Sequence, residues 1–321
     1  FIFLNSIFLI FIILFCGINI VHARSRAPAW ACLIACKITR RKFVTTFHGT
    51  YNFNNSLKKF YNSVMVKSDL IIAGSNFIFT HINENYSIYM NKNQKLLTIF
   101  RGINLEYFNS AAIKNNAELK LIDEWKIDKT LSFYKKKIIL FPGRLTYWKG
   151  HEVFIEALNI FKQKNPDKLF FVIILGSDQG RKIYKKKLQR LVEQYRLIND
   201  ILFINNCKNM PIAYKIANIV INSSIEPEAF GRVAVEAQAM EKVIIASNIG
   251  GSNETIVDNK TGFLFKAGDA IALSEKLAHI FELDETTLKS MGIEGRKNVI
   301  KKFNVEKMCF STYSEYIKLI S

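Results

Sequence analysis

Proline and cysteine are scarce in this sequence, and neither forms a recognisable pattern. The 321 residues include 5 Pro and 15 Gly, which excludes a collagen-like or Pro/Gly-rich disordered chain. The 5 cysteines are odd in number and lack the paired spacing of a zinc site, so neither a disulfide framework nor a structural zinc is predicted. We expect reduced thiols in a cytosolic compartment at Cys16, Cys32, Cys36, Cys207 and Cys309.

Acidic residues are also few, with 27 Asp and Glu against 45 Lys and Arg, for a net charge of +18. Such an excess favours a polyanionic partner, either an anionic membrane surface or nucleic acid. The basic residues are scattered and no nucleic-acid motif accompanies them, so we expect no nucleic acid partner. Drift of the composition towards Lys and Asn is an alternative origin of the charge. The sequence has no Asp-x-Asp motif, and neither a metal nor another cofactor is expected.

Charged residues are absent from Phe1 to Ile20, an almost wholly apolar stretch that is long enough to span a bilayer. Three interpretations compete: a transmembrane anchor, a signal peptide, or the remnant of a buried helix in a truncated chain. A signal peptide is disfavoured because no basic region precedes the run and no small-x-small site ends it. In an anchor, Arg24 and Arg26 would hold the following residues in the cytoplasm. We favour the remnant, since the run continues without a break into a strand-like segment at Ile18–His22.

What the sequence does contain is a regular alternation of strand and helix patterns, which predicts an α/β fold with parallel sheets and crossover helices. A chain of this length with 49% hydrophobic residues buries a sizeable core and most naturally forms two domains. The Lys- and Asn-rich segment Asn109–Lys137 lacks strand character and is the predicted linker. The predicted strands are Ile18–His22, Phe43–Phe47, Leu70–Ala73, Leu96–Phe100, Ile138–Phe141, Phe170–Leu175, Ile201–Ile204, Ile219–Asn222, Val243–Ala246 and Phe263–Phe265. The predicted helices are His151–Lys164, Ile183–Tyr195, Val233–Met240, Ala270–Phe281, Thr286–Phe303 and Val305–Ile320.

One basic loop follows the predicted strand Ile138–Phe141 and opens a helix. Gly143 is expected to let the chain turn tightly, and Gly150 to allow close approach near the helix N-terminus. Arg144 and Lys149 place two cations on this loop, where Arg grips phosphate oxygens in a fork and Lys acts as a point charge. The pattern predicts a clamp for a diphosphate, with a solvated basic loop as the alternative.

Two acidic residues eight positions apart flank another strand-to-helix junction. Glu228 lies on the loop beyond the carboxyl end of a strand, where open α/β sheets place their ligands, and Glu236 lies two turns into the following helix. Free backbone N–H groups at the start of this helix suit a phosphate. The residues expected to supply them are Ala229, Phe230, Gly231 and Arg232. A loop acid and a helix-face acid exposed to solvent are the alternative, since a motif is weak without its context.

Taken in order, these segments resemble the signature of family 4 retaining glycosyltransferases of the GT-B fold. The resemblance runs from about His22 to the C-terminus and implies two Rossmann-like domains facing a cleft. The family's opening Gly-rich strand and loop is not recognisable before His22, so the first domain is expected to be incomplete. The expected domains are residues 1–115, completed by the C-terminal helix 305–321, and a nucleotide-sugar domain of residues 116–304.

The resemblance also implies roles for the acidic and basic residues. Arg144 and Lys149 would bind the donor diphosphate, Glu228 would bind donor-sugar hydroxyls at the reacting face, and Glu236 would bind the ribose. His48, followed by glycine at the end of a strand, resembles the family's His-Gly turn that faces the donor sugar and its anomeric carbon. Glu228 and His48 are therefore the residues expected to be catalytic.

A second basic loop, containing Arg24 and Arg26, is a candidate contact for an acceptor phosphate. The implied reaction moves a sugar from a nucleoside diphosphate sugar, with retention at the anomeric carbon, to a lipid-linked or lipopolysaccharide-type acceptor. The basic surface suits docking on the inner face of an anionic membrane. Two alternatives stay open: a nucleotide-sugar epimerase of the same fold, and a noncatalytic basic fragment that binds membrane or nucleic acid.

Overall fold

The computed structural model describes residues 1–51, 53–114, 116–127 and 135–321. The chain divides into two compact units. The first consists of Phe1–Gly102 and Val305–Ser321, and the second of Ile103–Asn304.

The first unit contains a four-stranded sheet in which the strands follow chain order and every neighbouring pair is parallel. Parallel neighbours need crossover connections, and helices supply them here. The strands are β1 (Ile20–Ala23), β2 (Lys42–Phe47), β3 (Leu70–Ala73) and β4 (Lys95–Thr98). The helices of this part of the chain are α1 (Ile2–Phe15), α2 (Arg26–Thr39), α3 (Ser56–Asn62) and α4 (Asn76–Tyr86).

The apolar stretch at the start of the sequence is divided between a helix and a strand. Helix α1 ends at Phe15 and β1 begins at Ile20. The helix packs against α2 and buries Ser6 and Ile13. No helix of the described residues is both long enough and apolar enough to cross a membrane.

The C-terminal helix, Val305–Ile320, belongs to the first unit. Its Met308, Tyr316 and Leu319 pack against a cluster of buried side chains that the first sheet provides. Glu315 also pairs with Lys95 of β4, with 2.6 Å between the carboxylate oxygen and the ammonium nitrogen.

The second unit contains a six-stranded parallel sheet in the order β10-β9-β8-β5-β6-β7. Its strands are near-continuous apolar runs because helices cover both faces of such a sheet. The strands are β5 (Lys137–Pro142), β6 (Phe170–Leu175), β7 (Ile201–Ile204), β8 (Ile219–Asn222), β9 (Val243–Ser247) and β10 (Phe263–Phe265). The helices are α5 (Ala117–Glu124), α6 (His151–Lys164), α7 (Lys182–Gln194), α8 (Met210–Ile216), α9 (Arg232–Ala239), α10 (Ser252–Thr255), α11 (Ala270–Glu282) and α12 (Glu285–Lys302).

The predicted α/β fold with parallel sheets is confirmed. Each of the ten predicted strands corresponds to an observed strand whose ends differ by about two residues or less. The main core of the second unit joins α6 to α11, where Phe161 of α6 packs against Phe281 with 4.9 Å between ring centroids.

Residues 103–114 lie in the second unit, whereas the sequence analysis assigned them to the first domain. The N–H of Ile103 donates to the carbonyl of Phe303 at 2.9 Å, and Phe108 packs edge-on against Tyr214. These contacts fix the segment to the second unit. The predicted linker contains α5, and its residues 115 and 128–134 lie outside the described residues.

Candidate functional site

The basic loop and the acidic loop, which the sequence analysis singled out as ligand contacts, follow neighbouring strands of the second sheet. Strand β5 precedes the basic loop and β8 precedes the acidic loop, and the two strands pair directly. The strand order reverses between them, because β6 and β7 lie to one side of β5 while β8, β9 and β10 lie to the other. Open α/β sheets bind ligands beyond the carboxyl ends of the strands at such a switch point. We call this place the β5–β8 site.

Gly150 joins the basic loop to the end of β8. Its φ is +73°, and a Cβ added there would lie 1.9 Å from the carbonyl oxygen of Ser223, so a side chain does not fit. The Ser223 hydroxyl donates to the carbonyl of Gly150 at 2.9 Å, and the Ile225 N–H donates to the carbonyl of Trp148 at 2.8 Å. Gly150 therefore permits close approach of the neighbouring backbone.

Gly143 does not have the tight-turn role that the sequence analysis expected. Its φ is not in the left-handed region, and an added Cβ would meet its nearest neighbour at an ordinary 3.6 Å. At this contact the sterically restricted residue is Gly176, in the loop after β6, whose added Cβ would lie 1.9 Å from the carbonyl oxygen of Gly143. The constraint thus comes from two loops in contact, which a single loop sequence does not show.

Lys149 and Glu228 form an ion pair across the β5–β8 site. The ammonium nitrogen lies 2.7 Å from Oε1 of Glu228, and the side chains are 9% and 11% exposed. The hydroxyl of Ser224 donates to the same oxygen at 2.6 Å. Burial alone would raise the pKa of Glu228, but the charge and hydrogen bond of Lys149, with that of Ser224, outweigh it and hold this pKa below its usual value. Glu228 is therefore a carboxylate at neutral pH.

Arg144, on the same loop, is exposed. Its guanidinium carbon lies 5.9 Å from the centre of the Trp148 ring, and it forms no ion pair within the ranges that the structure describes. Lys149 also approaches the Trp148 ring, at 4.5 Å. As far as the described residues show, the loop therefore offers one paired cation and one cation without an ion pair, and an anion can bind the latter without breaking an existing pair.

Glu236 is held by two partners. Nε of Arg232 donates to Oε1 at 2.7 Å, and the hydroxyl of Tyr214 donates to Oε2 at 2.8 Å. Tyr214 is fully buried, and burial together with the Glu236 charge raises its pKa well above the usual value. Tyr214 thus keeps its proton and remains a donor to Glu236.

Helix α9 begins at Arg232, with Gly231 as its N-cap at φ +80°. Of the four residues expected to open this helix, Ala229 and Phe230 instead lie in the preceding loop. The Phe230 side chain is buried and packs against Phe303 with 5.6 Å between ring centroids. The open N-terminus of α9 is therefore at Gly231 and Arg232.

The glycine pair after β9 supports the acidic loop. The N–H of Gly251 donates to the carbonyl of Glu228 at 2.7 Å. A Cβ on Gly250 would lie 2.6 Å from that carbonyl oxygen, and a Cβ on Gly251 would lie 2.5 Å from Cα of Phe230. These glycines are needed because two backbone segments are in direct contact.

His48, in the first unit, directly follows β2. Its Nδ1 is buried and makes no hydrogen bond within the part of the chain that the structure describes. Burial, then the charges of Arg101 and Arg24, lower the pKa of His48 from 6.5 to about 4. The ring is therefore neutral at pH 7.

The basic loop predicted after β1 is shorter than expected, because α2 already begins at Arg26. Arg26 donates to Oδ1 of Asn62 at 2.9 Å and lies 4.9 Å from the centre of the Tyr51 ring, so its guanidinium has protein partners. Arg24 is exposed and lowers the pKa of both His22 and His48 through its charge. Arg24 is thus the more accessible of the two predicted acceptor contacts.

Two contacts of the β5–β8 site were missed from the sequence. Ser224 is the second residue after β8, and its place just beyond a buried strand was the signal that could have indicated it. Tyr214 lies on α8, 22 residues before its partner Glu236, and no local pattern connects the two. Among the residues that the structure describes, no group of three or more His, Cys, Asp or Glu could hold a metal ion.

Comparison with family models gives two matches. Residues 123–298 match the family described as glycosyl transferases group 1, and residues 1–107 match glycosyltransferase family 4. The second match begins at residue 1, so the resemblance includes α1, which the sequence motifs did not indicate.

Related proteins agree with these matches. The crystal structure of a glycosyltransferase from Rickettsia africae ESF-5 is 37% identical, with a TM-score of 0.89 over 100% of this chain and 82% of that one. The Anabaena HepE structure in complex with UDP is 19% identical, with a TM-score of 0.84 over 98% of this chain and 82% of that one. At this identity the likeness supports only a shared fold. A D-inositol 3-phosphate glycosyltransferase from Corynebacterium glutamicum is 30% identical over 48% of this chain, and the match spans only 37% of that relative. This chain belongs to the glycosyl transferases group 1 family and has the GT-B fold.

Proposed function

We propose that this chain transfers a sugar from a nucleoside diphosphate sugar to a phosphorylated acceptor of the lipid-linked or lipopolysaccharide type, with retention at the anomeric carbon. The observation that carries the proposal is the 2.7 Å ion pair between Lys149 and Glu228 at the β5–β8 site, with Arg144 on the same loop in no ion pair with any described residue. It combines cations suited to a diphosphate with a carboxylate suited to sugar hydroxyls. Family membership and the UDP complex of HepE support a nucleotide sugar as donor.

The proposed reaction breaks the bond between the anomeric carbon and the diphosphate oxygen, and the diphosphate leaves with the electron pair. A bond then forms from the anomeric carbon to the acceptor oxygen, whose proton passes to the leaving diphosphate. Arg144, Lys149 and the N-terminus of α9 stabilise the charge that develops on the diphosphate. Glu228 accepts hydrogen bonds from donor-sugar hydroxyls. No divalent ion is needed for this charge stabilisation.

The ion pair holds the Lys149 ammonium and the Glu228 carboxylate in position before the donor binds. Lys149 and Glu228 are almost fully buried, and Ser224 further restrains the carboxylate. Little side-chain entropy is then lost on binding, which favours affinity. Arg144 supplies the first contact with the diphosphate because it is exposed.

Glu236 has the capacity to bind a ribose. A carboxylate oxygen accepts up to two hydrogen bonds, and each oxygen of Glu236 accepts one, from Arg232 or from Tyr214. Two acceptor positions therefore remain for the two ribose hydroxyls. We propose that these hydroxyls bind there.

The acceptor proposal depends on the first unit. Arg24 is an exposed cation beyond the end of β1. A phosphate of the acceptor matches this charge, because Arg binds phosphate oxygens through charge-assisted hydrogen bonds. The D-inositol 3-phosphate glycosyltransferase relative supports a phosphorylated acceptor. The net charge of +18 supports docking on an anionic membrane.

The test is a titration panel of UDP, GDP and ADP sugars, followed by product analysis with and without a phosphorylated glycolipid acceptor. The proposal expects binding of one nucleotide sugar, transfer only when acceptor is present, and a product with the anomeric configuration of the donor by NMR. An epimerised nucleotide sugar formed without acceptor would favour the epimerase. Absence of binding to every nucleotide sugar would favour a noncatalytic protein.

A further inference from the structure

A cavity of about 640 Å³ lies in the second unit between the basic loop and the first turn of α7. The side chains of Tyr147, Trp148, Ile183 and Tyr184 provide its apolar wall. Neither acid of the β5–β8 site lines it, and it shares with that site only the basic loop. We call it the α7 cavity.

Besides aromatic rings, the lining residues carry two hydroxyls that have no partner among the described residues. The hydroxyls of Thr146 and Tyr184 are buried and make no hydrogen bond within the described residues. A buried hydroxyl without a partner loses free energy, which a polar ligand can restore. A sugar suits both features, because its hydroxyls donate and accept while its ring packs on aromatic side chains.

The rim of the cavity is positively charged. Helix α7 begins at Lys182 with no side-chain cap and no acid in its first turn, so its first N–H groups are available to an anion. Arg181 and Lys182 are exposed there. Lys187 is partly neutralised, since it pairs with Glu152 at 2.5 Å. The rim therefore suits one phosphate beside the apolar wall.

We propose that the α7 cavity binds a phosphorylated saccharide and is a second ligand site, distinct from the β5–β8 site. Three observations support it together: the aromatic wall, the unpartnered hydroxyls and the cationic, uncapped start of α7. Trp148 belongs both to the cavity wall and to the surroundings of Arg144 and Lys149. A ligand in the cavity is thus in contact with the loop that carries the proposed diphosphate clamp.

The test measures binding of glucose 6-phosphate to the full chain by isothermal titration, with glucose and inorganic phosphate as comparison ligands. The variant Arg181→Ala/Lys182→Ala removes both rim cations. The matched control Lys186→Ala/Arg190→Ala removes the same charges from exposed positions of α7 that do not line the cavity. We expect the rim variant to weaken glucose 6-phosphate binding by about tenfold or more, and the control by less than about twofold.

A second variant, Tyr184→Phe, removes only the unpartnered hydroxyl and keeps the ring. It should weaken glucose 6-phosphate binding by about threefold to tenfold, and thermal melting checks that the variants fold. Equal affinity for glucose 6-phosphate and inorganic phosphate would contradict a saccharide site, and equal affinity for glucose would contradict the phosphate requirement. Binding lost in Arg144→Ala but kept in the rim variant would place the probe in the diphosphate clamp and overturn the proposal. Absence of any glucose 6-phosphate binding would overturn it as well.

Discussion

Replacing Lys149 with Met removes the cation of the buried ion pair and keeps most of the side-chain volume. Glu228 would then be a buried carboxylate that keeps its neutral hydrogen-bond partners Ser224 and Asn222 but has lost the cation of the 2.7 Å ion pair. We expect the Lys149→Met variant to be less stable than the wild type at neutral pH, because a buried charge without its partner is costly.

The size of the effect has an upper bound. The folded variant can relieve the buried charge by protonating Glu228, whose ordinary pKa is 4.5. At pH 7 this protonation costs about 3.4 kcal/mol, from about 1.36 kcal/mol for each pH unit above that value, and at pH 5 it costs only about 0.7 kcal/mol. In the variant the pKa of Glu228 is raised, so stability is retained at low pH and lost as the pH rises. In the wild type the pKa of Glu228 is lowered, so the ionised Glu228 contributes to the free energy of unfolding at neutral pH and loses this contribution as the pH falls.

The assay is urea unfolding of wild type, Lys149→Met and the control Lys186→Met at pH 5, 7 and 8. We expect a loss of about 2–3 kcal/mol in the free energy of unfolding at pH 7 for Lys149→Met, shrinking to below about 1 kcal/mol at pH 5. Lys186 is exposed, so its replacement should change stability by less than about 0.5 kcal/mol at every pH. A loss for Lys149→Met that does not change with pH, or no loss at all, would refute the ion pair as described.

Further outcomes are expected for the loop, for pH and for metal ions. Gly150→Ala should destabilise the protein by more than about 2 kcal/mol in urea unfolding because its Cβ would lie 1.9 Å from the Ser223 carbonyl oxygen, whereas Gly268→Ala, also at positive φ but with open space, should cost only about 1 kcal/mol; similar losses would contradict the contact. Burial lowers the pKa of His22 and of His48 from 6.5 to about 4, so their contribution to stability should be full above pH 6.5 and decrease as the pH falls towards 4; urea unfolding from pH 7 to pH 4.5 should show a dependence that weakens in His48→Gln, and an unchanged dependence would count against this pKa. Sugar transfer should survive EDTA if cations of the chain neutralise the diphosphate, as proposed; inactivation that Mg²⁺ or Mn²⁺ reverses would disprove this.

Much of the fold was predictable because its signals are local. The strand Phe170–Leu175 is an uninterrupted apolar run, as expected for a parallel strand covered on both faces. The loops carrying Arg144 and Glu228 were predicted to follow strands of one sheet, and the structure adds that these strands, β5 and β8, are direct neighbours. Strand order is a property of the whole sheet, so the sequence pattern alone could not supply it.

The details of the candidate site depend on contacts between distant segments. The Lys149–Glu228 pair joins residues 79 positions apart, and no motif spacing predicted that the cation proposed for the diphosphate and the acid proposed for the sugar would pair with each other. The role of Gly143 was predicted wrongly for the same reason, since the steric limit is at Gly176 in another loop. Arg26 was expected in a loop, yet α2 already includes it because Pro28 is tolerated in the first turn of a helix.

The central claim is that the β5–β8 site binds a nucleoside diphosphate through the basic loop. The most direct test is isothermal titration of UDP, GDP and ADP, each compared with its nucleoside, into wild type, Arg144→Ala and the exposed control Arg190→Ala. We predict that the diphosphate bound most tightly loses about 1.5–3 kcal/mol of binding free energy in Arg144→Ala, while its nucleoside and the Arg190→Ala control change by less than about 0.5 kcal/mol. Equal losses for nucleoside and diphosphate, or no binding of any diphosphate to the wild type, would contradict the claim.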